Sequence, residues 1–440
     1  MQQIDRSKAN PFNYKLFFTI MLFSLAPSLY STIRIHFLGY LPNDYGVNIA
    51  SQLSWVSIIY EIFSEALLLP LYFFIGNAIT RTTDLSNKFY SGIAVTALVF
   101  LSLSIILIIW VRPLLKLMAQ KEVILELTVN YIRLESASIV LYSIVRFMQI
   151  VIIILNNKKS LLFMLASQVL LSFVSDLFMV SPFKYSLSLG VNGIAYGNLI
   201  TNSILILIGY TSLKREIGPL GSMKGLSFKW MRSWWSIGKL SGIESLIRNL
   251  VYIVIILRMV NMIEHQGTYW VANSFIWNWL LLPVLALGEL IKRETSISIS
   301  AVNTRLKTYL VATAIIILII AGTSVFWPGF IKTILNAYDY EAVLELVALL
   351  SGFYIVFAVN NIIDSIFYGL GRTDLMLYQS LAVNGIYYTG VFIAFKVGLF
   401  VPSVHSIAIV FGIGIILDSL ITFFLFYKYS KRAGFSVPHV

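Results

Sequence analysis

The sequence predicts an all-α integral membrane protein, with twelve transmembrane helices in two six-helix lobes related by a pseudo-two-fold axis along the membrane normal. Three observations lead there. The 440-residue chain is 58% hydrophobic and only 12% charged, whereas a soluble domain carries about 25% charged residues. Apolar stretches of about 20 residues, long enough to cross a bilayer, recur from end to end between short polar breaks. Basic residues also alternate from loop to loop, as insertion topology requires.

Charge clusters and Gly, Pro and Asn breaks place the helix starts. In the first half they fall near Lys15, Gly46, Tyr90, Leu125, Leu161 and Ser188. In the second they fall near Trp230, Gly267, Thr308, Ala342, Met376 and Val404. The polar N-terminus MQQIDRSKANPFNYK leads into the first span without a small-residue cleavage site, so no removable signal peptide is expected. The N-terminus, the even-numbered loops and the C-terminus hold 20 of the 32 basic residues, against six in the odd-numbered loops. Cytoplasmic segments keep positive charge, so both termini are assigned to the cytoplasm and the chain to the cell (inner) membrane. Topology then accounts for most of the net charge of +12, and no nucleic-acid partner is expected.

Residue usage narrows the chemistry. There is no cysteine, which excludes disulfides, thiolate metal sites and cysteine nucleophiles. The four histidines, His36, His265, His405 and His439, lie far apart in sequence and form neither a metal-ligand cluster nor a triad pattern. An enzyme is therefore not expected, and no catalytic or metal-binding residue is assigned.

The longest hydrophilic stretch, KREIGPLGSMKGLSFKWMRS, divides the chain into an N-terminal lobe (residues 1–213), a cytoplasmic linker (214–229) and a C-terminal lobe (230–440). SIVRFMQIVIIILNNKKSLLFML in the first lobe can be laid against FAVNNIIDSIFYGLGRTDLMLYQ in the second, each reading as helix, tight basic turn, helix. Two six-helix halves with both termini on one side are parallel repeats, an architecture that moves solutes by alternating access around a midplane site.

Ionisable groups at membrane depth cost about 2.5–3.5 kcal/mol each to insert, so each asks for a function or a partner. Glu61 and Glu65 stand four apart in SIIYEIFSEALLLPLYFF, on one helical face. Arg34 on the first helix is the cation expected between them, as a permanent salt bridge or as part of a coupling site. Glu244 and Arg248 are spaced for an intrahelical pair. Asp364, with Asn360 and Asn361, marks the tenth helix as a candidate cavity wall. Gln149, with Glu135 and Arg146, does the same on the fourth. Glu289 is expected to pair with Lys292 or Arg293, and Asp418 receives no role. Most aromatics read as interfacial belt residues, while Trp277 and Trp279 lie deeper in the eighth helix, where one of them, Trp277 first, is placed to stack on a planar or cationic substrate.

Several stretches together resemble the multidrug and toxic compound extrusion (MATE) transporters. VNYIRLESASIVLYSIVRFMQ resembles the family's fourth helix, LLSFVSDLFMV its fifth and LGVNGIAYGNLITNS the opening of its sixth. YGLGRTDLM resembles the turn after the tenth helix, and LGYLPNDYGV the break after the first. The resemblance implies a cation or proton site in the first lobe, carried by Asp176, with Ser172 four residues earlier and Asn198 on the sixth helix. The first helix departs from the pattern: STIRIHFLG places Arg34 where many members keep an aspartate. The resemblance implies a monomeric secondary exporter of an organic or cationic small molecule, exchanging it for H+ or Na+. Proton exchange through Asp176, assisted by Glu61 and Glu65, is the favoured coupling. The alternative is a flippase for a lipid-linked or amphipathic substrate whose phosphate would meet Arg34 and Arg248.

Overall fold

The computed structural model describes residues 12–38, 49, 53–117, 122–181, 183–218, 225–260, 266–335, 337 and 339–433. Among them every regular element is helical, and the helices fall into twelve consecutive segments. The first six are α1 (Tyr14–Leu38), α2 (Leu53–Leu67, resuming after Pro70 as Leu71–Gly76), α3 (Thr82–Leu117), α4 (Glu122–Ile154), α5 (Lys158–Met179) and α6 (Val191–Ile217). The next three are α7 (Met231–Val251, continued by Tyr252–Leu257 and Arg258–Val260), α8 (Gln266–Phe275, Ile276–Leu280 and Leu282–Ile297) and α9 (Ser300–Gly322, with short turns onward to Ile334). The last are α10 (Tyr340–Gly369), α11 (Thr373–Ala382, Val383–Tyr388 and Thr389–Lys396) and α12 (Val404–Ala433). Among the described residues eight helices are long and apolar enough to cross a bilayer, and α8, bent by 47° at Leu281, supplies a ninth if its halves form one span. This is a multi-pass membrane protein.

Two helices begin well before their expected starts. α3 starts at Thr82 rather than near Tyr90, and α9 at Ser300 rather than near Thr308. Hydropathy marks only the part of a helix that lies in lipid, and both helices run on into polar ends. An Asp84–Lys88 pair at 3.0 Å closes the first turns of α3, and Arg305 of α9 binds Glu294 at 2.6 Å. The expected start of the second helix near Gly46 lies outside the described residues.

The chain divides into two compact units, Leu22–Gly242 and Ile243–Val440 with the residues up to Met21. Within the first, α4 packs on α3 and α6, and α5 packs on α6. Within the second, α10 packs on α8 and α12. The chain passes from one unit to the other inside α7. Its early turns belong with α2, where the Trp234 indole donates to the Leu67 carbonyl at 3.0 Å. A Cβ on Gly238 would collide with the Ala66 carbonyl, so glycine there permits the close approach of the two backbones.

The two turns aligned by the internal repeat share a device. Between α4 and α5, Asn156 adopts a left-handed φ of 59°, and the Asn157 side chain caps α5 by accepting from the Ser160 amide at 3.1 Å. Between α10 and α11, Gly371 takes the left-handed position with φ of 70°. Only residues tolerant of that conformation fit such a tight reversal.

Candidate functional site

In the first unit Asp176 is fully buried on α5, at 0% exposure. The Tyr30 hydroxyl of α1 donates to its carboxylate and also lies 2.8 Å from the Ser172 carbonyl one turn earlier. Ser172 thus enters the site through its backbone. α6 approaches closely because Gly197 has no side chain: a Cβ there would lie 2.9 Å from Ser175 Cβ and 3.5 Å from Asp176 Oδ1.

Asn198 faces α4 and donates to Glu135 Oε1 at 2.7 Å. One turn on, Asn202 donates to Ser138 Oγ at 3.1 Å. These paired contacts lock α4 to α6, and Glu135, only 3% exposed, is held by an amide. A second polar chain ties three helices, with the Tyr60 and Ser104 hydroxyls 2.6 Å apart and Ser104 donating to the Ser136 carbonyl at 2.8 Å. Gln149 is buried on α4 and accepts from Arg146 Nη1 at 3.4 Å, away from the Asp176 contact set.

Glu61 and Glu65 share a face of α2, Glu61 exposed and Glu65 half-buried, and both engage other groups. The side chain of Arg34 lies outside the described residues, and with it the expected pairing to Glu61 or Glu65.

The second unit gathers most of the remaining candidates. Arg248 Nη1 binds Glu244 Oε1 at 2.6 Å, an i,i+4 pair along α7, and Tyr368 of α10 donates to the other Glu244 oxygen at 3.3 Å. Asn360 is 1% exposed, and its amide donates both to Asp364 Oδ2 and to Asp418 Oδ2, each at 3.0 Å. Asn361 serves another purpose, donating to the Val284 carbonyl of α8 at 3.1 Å. Trp277 packs edge-on against Phe357 and Tyr354, with ring centroids 5.3 and 5.9 Å away. Lys292 pairs with Glu289 at 3.1 Å.

Three participants lack a readable signal in the sequence. Tyr30 meets Asp176 across 146 residues of chain, and one tyrosine among 24 carries no mark of that contact. Asp418 joins Asp364 through Asn360, whose doubled asparagine was the only local hint. Glu294 is 4% exposed, and binds Arg305 at 2.6 Å and the Tyr309 hydroxyl at 2.5 Å. In sequence it reads as one charge in an ordinary cytoplasmic cluster.

Among the described residues, twelve helical segments with paired reversals, and buried acids held by hydroxyl and amide donors, define a polytopic helical membrane fold. Comparison with solved structures makes this specific: the chain has the fold of the MATE transporters of the MOP superfamily. It is similar to an outward-facing MATE family multidrug resistance transporter, at 16% identity over 95% of each chain with a TM-score of 0.79. It is also similar to the Vibrio cholerae MATE transporter VcmN, at 15% identity over 95% of this chain and 97% of that one, TM-score 0.75. A MOP superfamily transporter from Pyrococcus furiosus matches at 16% identity over 96% of each chain, TM-score 0.79. No protein-family model matches the chain, and no curated protein matches it.

Proposed function

We propose that the protein is a secondary active exporter of small organic molecules, working by alternating access in the cell membrane and exchanging its substrate for protons through Asp176. The observation that carries this reading is the buried Asp176 carboxylate on α5 bonded by the Tyr30 hydroxyl of α1. A carboxylate accepts such a bond; once protonated it becomes a donor itself, and its hold on α1 changes. Protonation is then a local event that alters a contact between two helices, which is what a coupling site needs.

Asn198 and Glu135 belong to the same reading as a brace, since their bond sets α6 against α4 and Gly197 lets α6 lie beside Asp176. The fold likeness to MATE transporters favours transport over catalysis. The lipid-linked-substrate alternative gains nothing from it, because the first of these structures is described as a multidrug resistance transporter.

The test is dye efflux from liposomes containing the purified protein under an imposed proton gradient. The gradient is expected to drive efflux in the wild type and not in Asp176→Asn. Efflux insensitive to the gradient, and equal in the variant, would overturn the reading.

A further inference from the structure

The chain enters α7 through KWMRSWWS, whose three tryptophans have different fates. The Trp230 indole donates to Ser91 Oγ of α3 at 2.9 Å and the Trp234 indole to the Leu67 carbonyl of α2 at 3.0 Å. Their rings stack with centroids 4.9 Å apart. Trp235 stands apart: it is 61% exposed, and its N–H reaches no acceptor among the described residues.

That difference follows from the face each residue occupies. Trp234, Gly238, Ser241 and Gly242 make the buried face of α7, with the two glycines against Ala66 of α2. The opposite face carries Arg232, Trp235, Ser236 and Lys239, all exposed. At positions i, i+3, i+4 and i+7 these side chains stand over one another on one side of the helix. Farther along, the same side continues as Ile243, Leu246 and Leu250, which are 43%, 41% and 50% exposed. In a multi-pass membrane protein an apolar helix side left uncovered by other helices is where lipid chains lie.

The polar part of this side has one sign. Arg232 and Lys239 are cations, the Trp235 N–H can only donate, and Ser236 offers a hydroxyl. No acidic residue occurs from Gly225 to Gly242, and neither cation makes an ion pair among the described residues. Lys229, exposed just before the helix, adds to the same charge. Other cations of this unit are matched: Lys88 pairs with Asp84 at 3.0 Å and Arg112 with Glu126 at 2.6 Å.

Spacing makes the two cations cooperate. They lie about 10 Å apart along the helix axis, within the combined reach of two long side chains. Lysine on the later turn can keep its stem among lipid chains and extend its ammonium toward the headgroups. The indole between them, apolar in body and polar at one edge, suits the same depth.

We propose that this face of α7 binds the phosphate of an anionic glycerophospholipid. Arg232 and Lys239 close on the phosphate, the Trp235 N–H and the Ser236 hydroxyl donate to it, and the acyl chains lead away along the same side of the helix. Each cation near an anionic lipid surface is worth about fivefold in binding, so the site prefers phosphatidylglycerol to zwitterionic phosphatidylcholine. The site takes no part in proton exchange at Asp176.

The test is quenching of tryptophan fluorescence in the purified protein, reconstituted in bilayers where either phosphatidylglycerol or phosphatidylcholine carries bromine on its chains near the headgroup. Quenching lost in Trp235→Phe isolates the signal of this one indole. That signal is expected to report association with brominated phosphatidylglycerol at least about fivefold tighter than with brominated phosphatidylcholine. Replacing both cations, Arg232→Gln with Lys239→Gln, should bring the two lipids within about twofold of each other. Lys214→Gln, at an exposed lysine near the end of α6, should leave the preference unchanged. Equal quenching of the wild type by the two lipids overturns the proposal whether or not any variant folds. A loss in Lys214→Gln as large as in the double variant also overturns it, because general surface charge would then account for the preference.

Discussion

The two units use the same kinds of residue to opposite effect. In the unit Leu22–Gly242 the helices have no π turns among the described residues, and the central acid, Asp176, is enclosed at 0% exposure beneath a tyrosine from another helix. In the unit Ile243–Val440 four π turns interrupt the helices, and an acid, Asp418, stands at the wall of an aromatic cavity. The two units thus differ in local helix geometry around these acids.

The largest effect that sharpens this contrast is on coupling. Asp176→Asn is expected to reduce gradient-driven efflux at least a hundredfold, while Asp364→Asn leaves it within about tenfold of wild type, both measured in liposomes. The reverse ranking would break the division of roles between the units.

Stability offers the next comparison. Glu294 binds Arg305 and Tyr309, its own side chain 2% exposed and that of Arg305 21%, so Glu294→Ala leaves the buried Tyr309 hydroxyl and a partly exposed cation without their acceptor and should cost about 1–3 kcal/mol. Thermal unfolding in detergent, with the variant set beside wild type, gives that number. A change as small as that of a surface pair would show that water reaches the cluster.

Close helix approaches come third, and here the two units should behave alike. A Cβ on Gly238 meets the Ala66 carbonyl, and one on Gly369 meets Thr295 Oγ1 and, at 2.6 Å, the Lys292 carbonyl. Gly238→Val and Gly369→Val are each expected to cost about 1–3 kcal/mol through overpacking. Thermal shifts that differ strongly between the two would show that one unit can spread its helices and the other cannot.

The smallest effects are at exposed pairs. Arg112 and Glu126 lie 2.6 Å apart with side chains 49% and 59% exposed. Glu126→Ala should therefore cost about 1 kcal/mol or less. Repeating the melt at high salt should remove even that difference.

Much of the architecture was legible in the chain because the bilayer imposes it. A span must be apolar and helical for about 20 residues, and that requirement writes itself into consecutive positions. The twelve segments were legible on that ground, as was the resemblance to MATE transporters, because both reside in order and spacing along the chain. Asp364 and the Glu244–Arg248 pair stood out for a related reason, since a charge in lipid is conspicuous whatever surrounds it, and Asp176 stood out through the resemblance.

The rest was decided by tertiary structure. Tyr30 reaches Asp176 and Asn360 reaches Asp418 through contacts between helices, which no local pattern records. The π turns escape sequence reading too, because one inserted residue leaves an apolar run apolar and shifts only the direction in which side chains point. Sequence by itself determined which segments enter the membrane and which charges they carry, since hydrophobic transfer acts on each segment separately. Packing decided which face each helix presents and which acid meets a tyrosine or a cavity, since those outcomes depend on neighbours that the fold brings together.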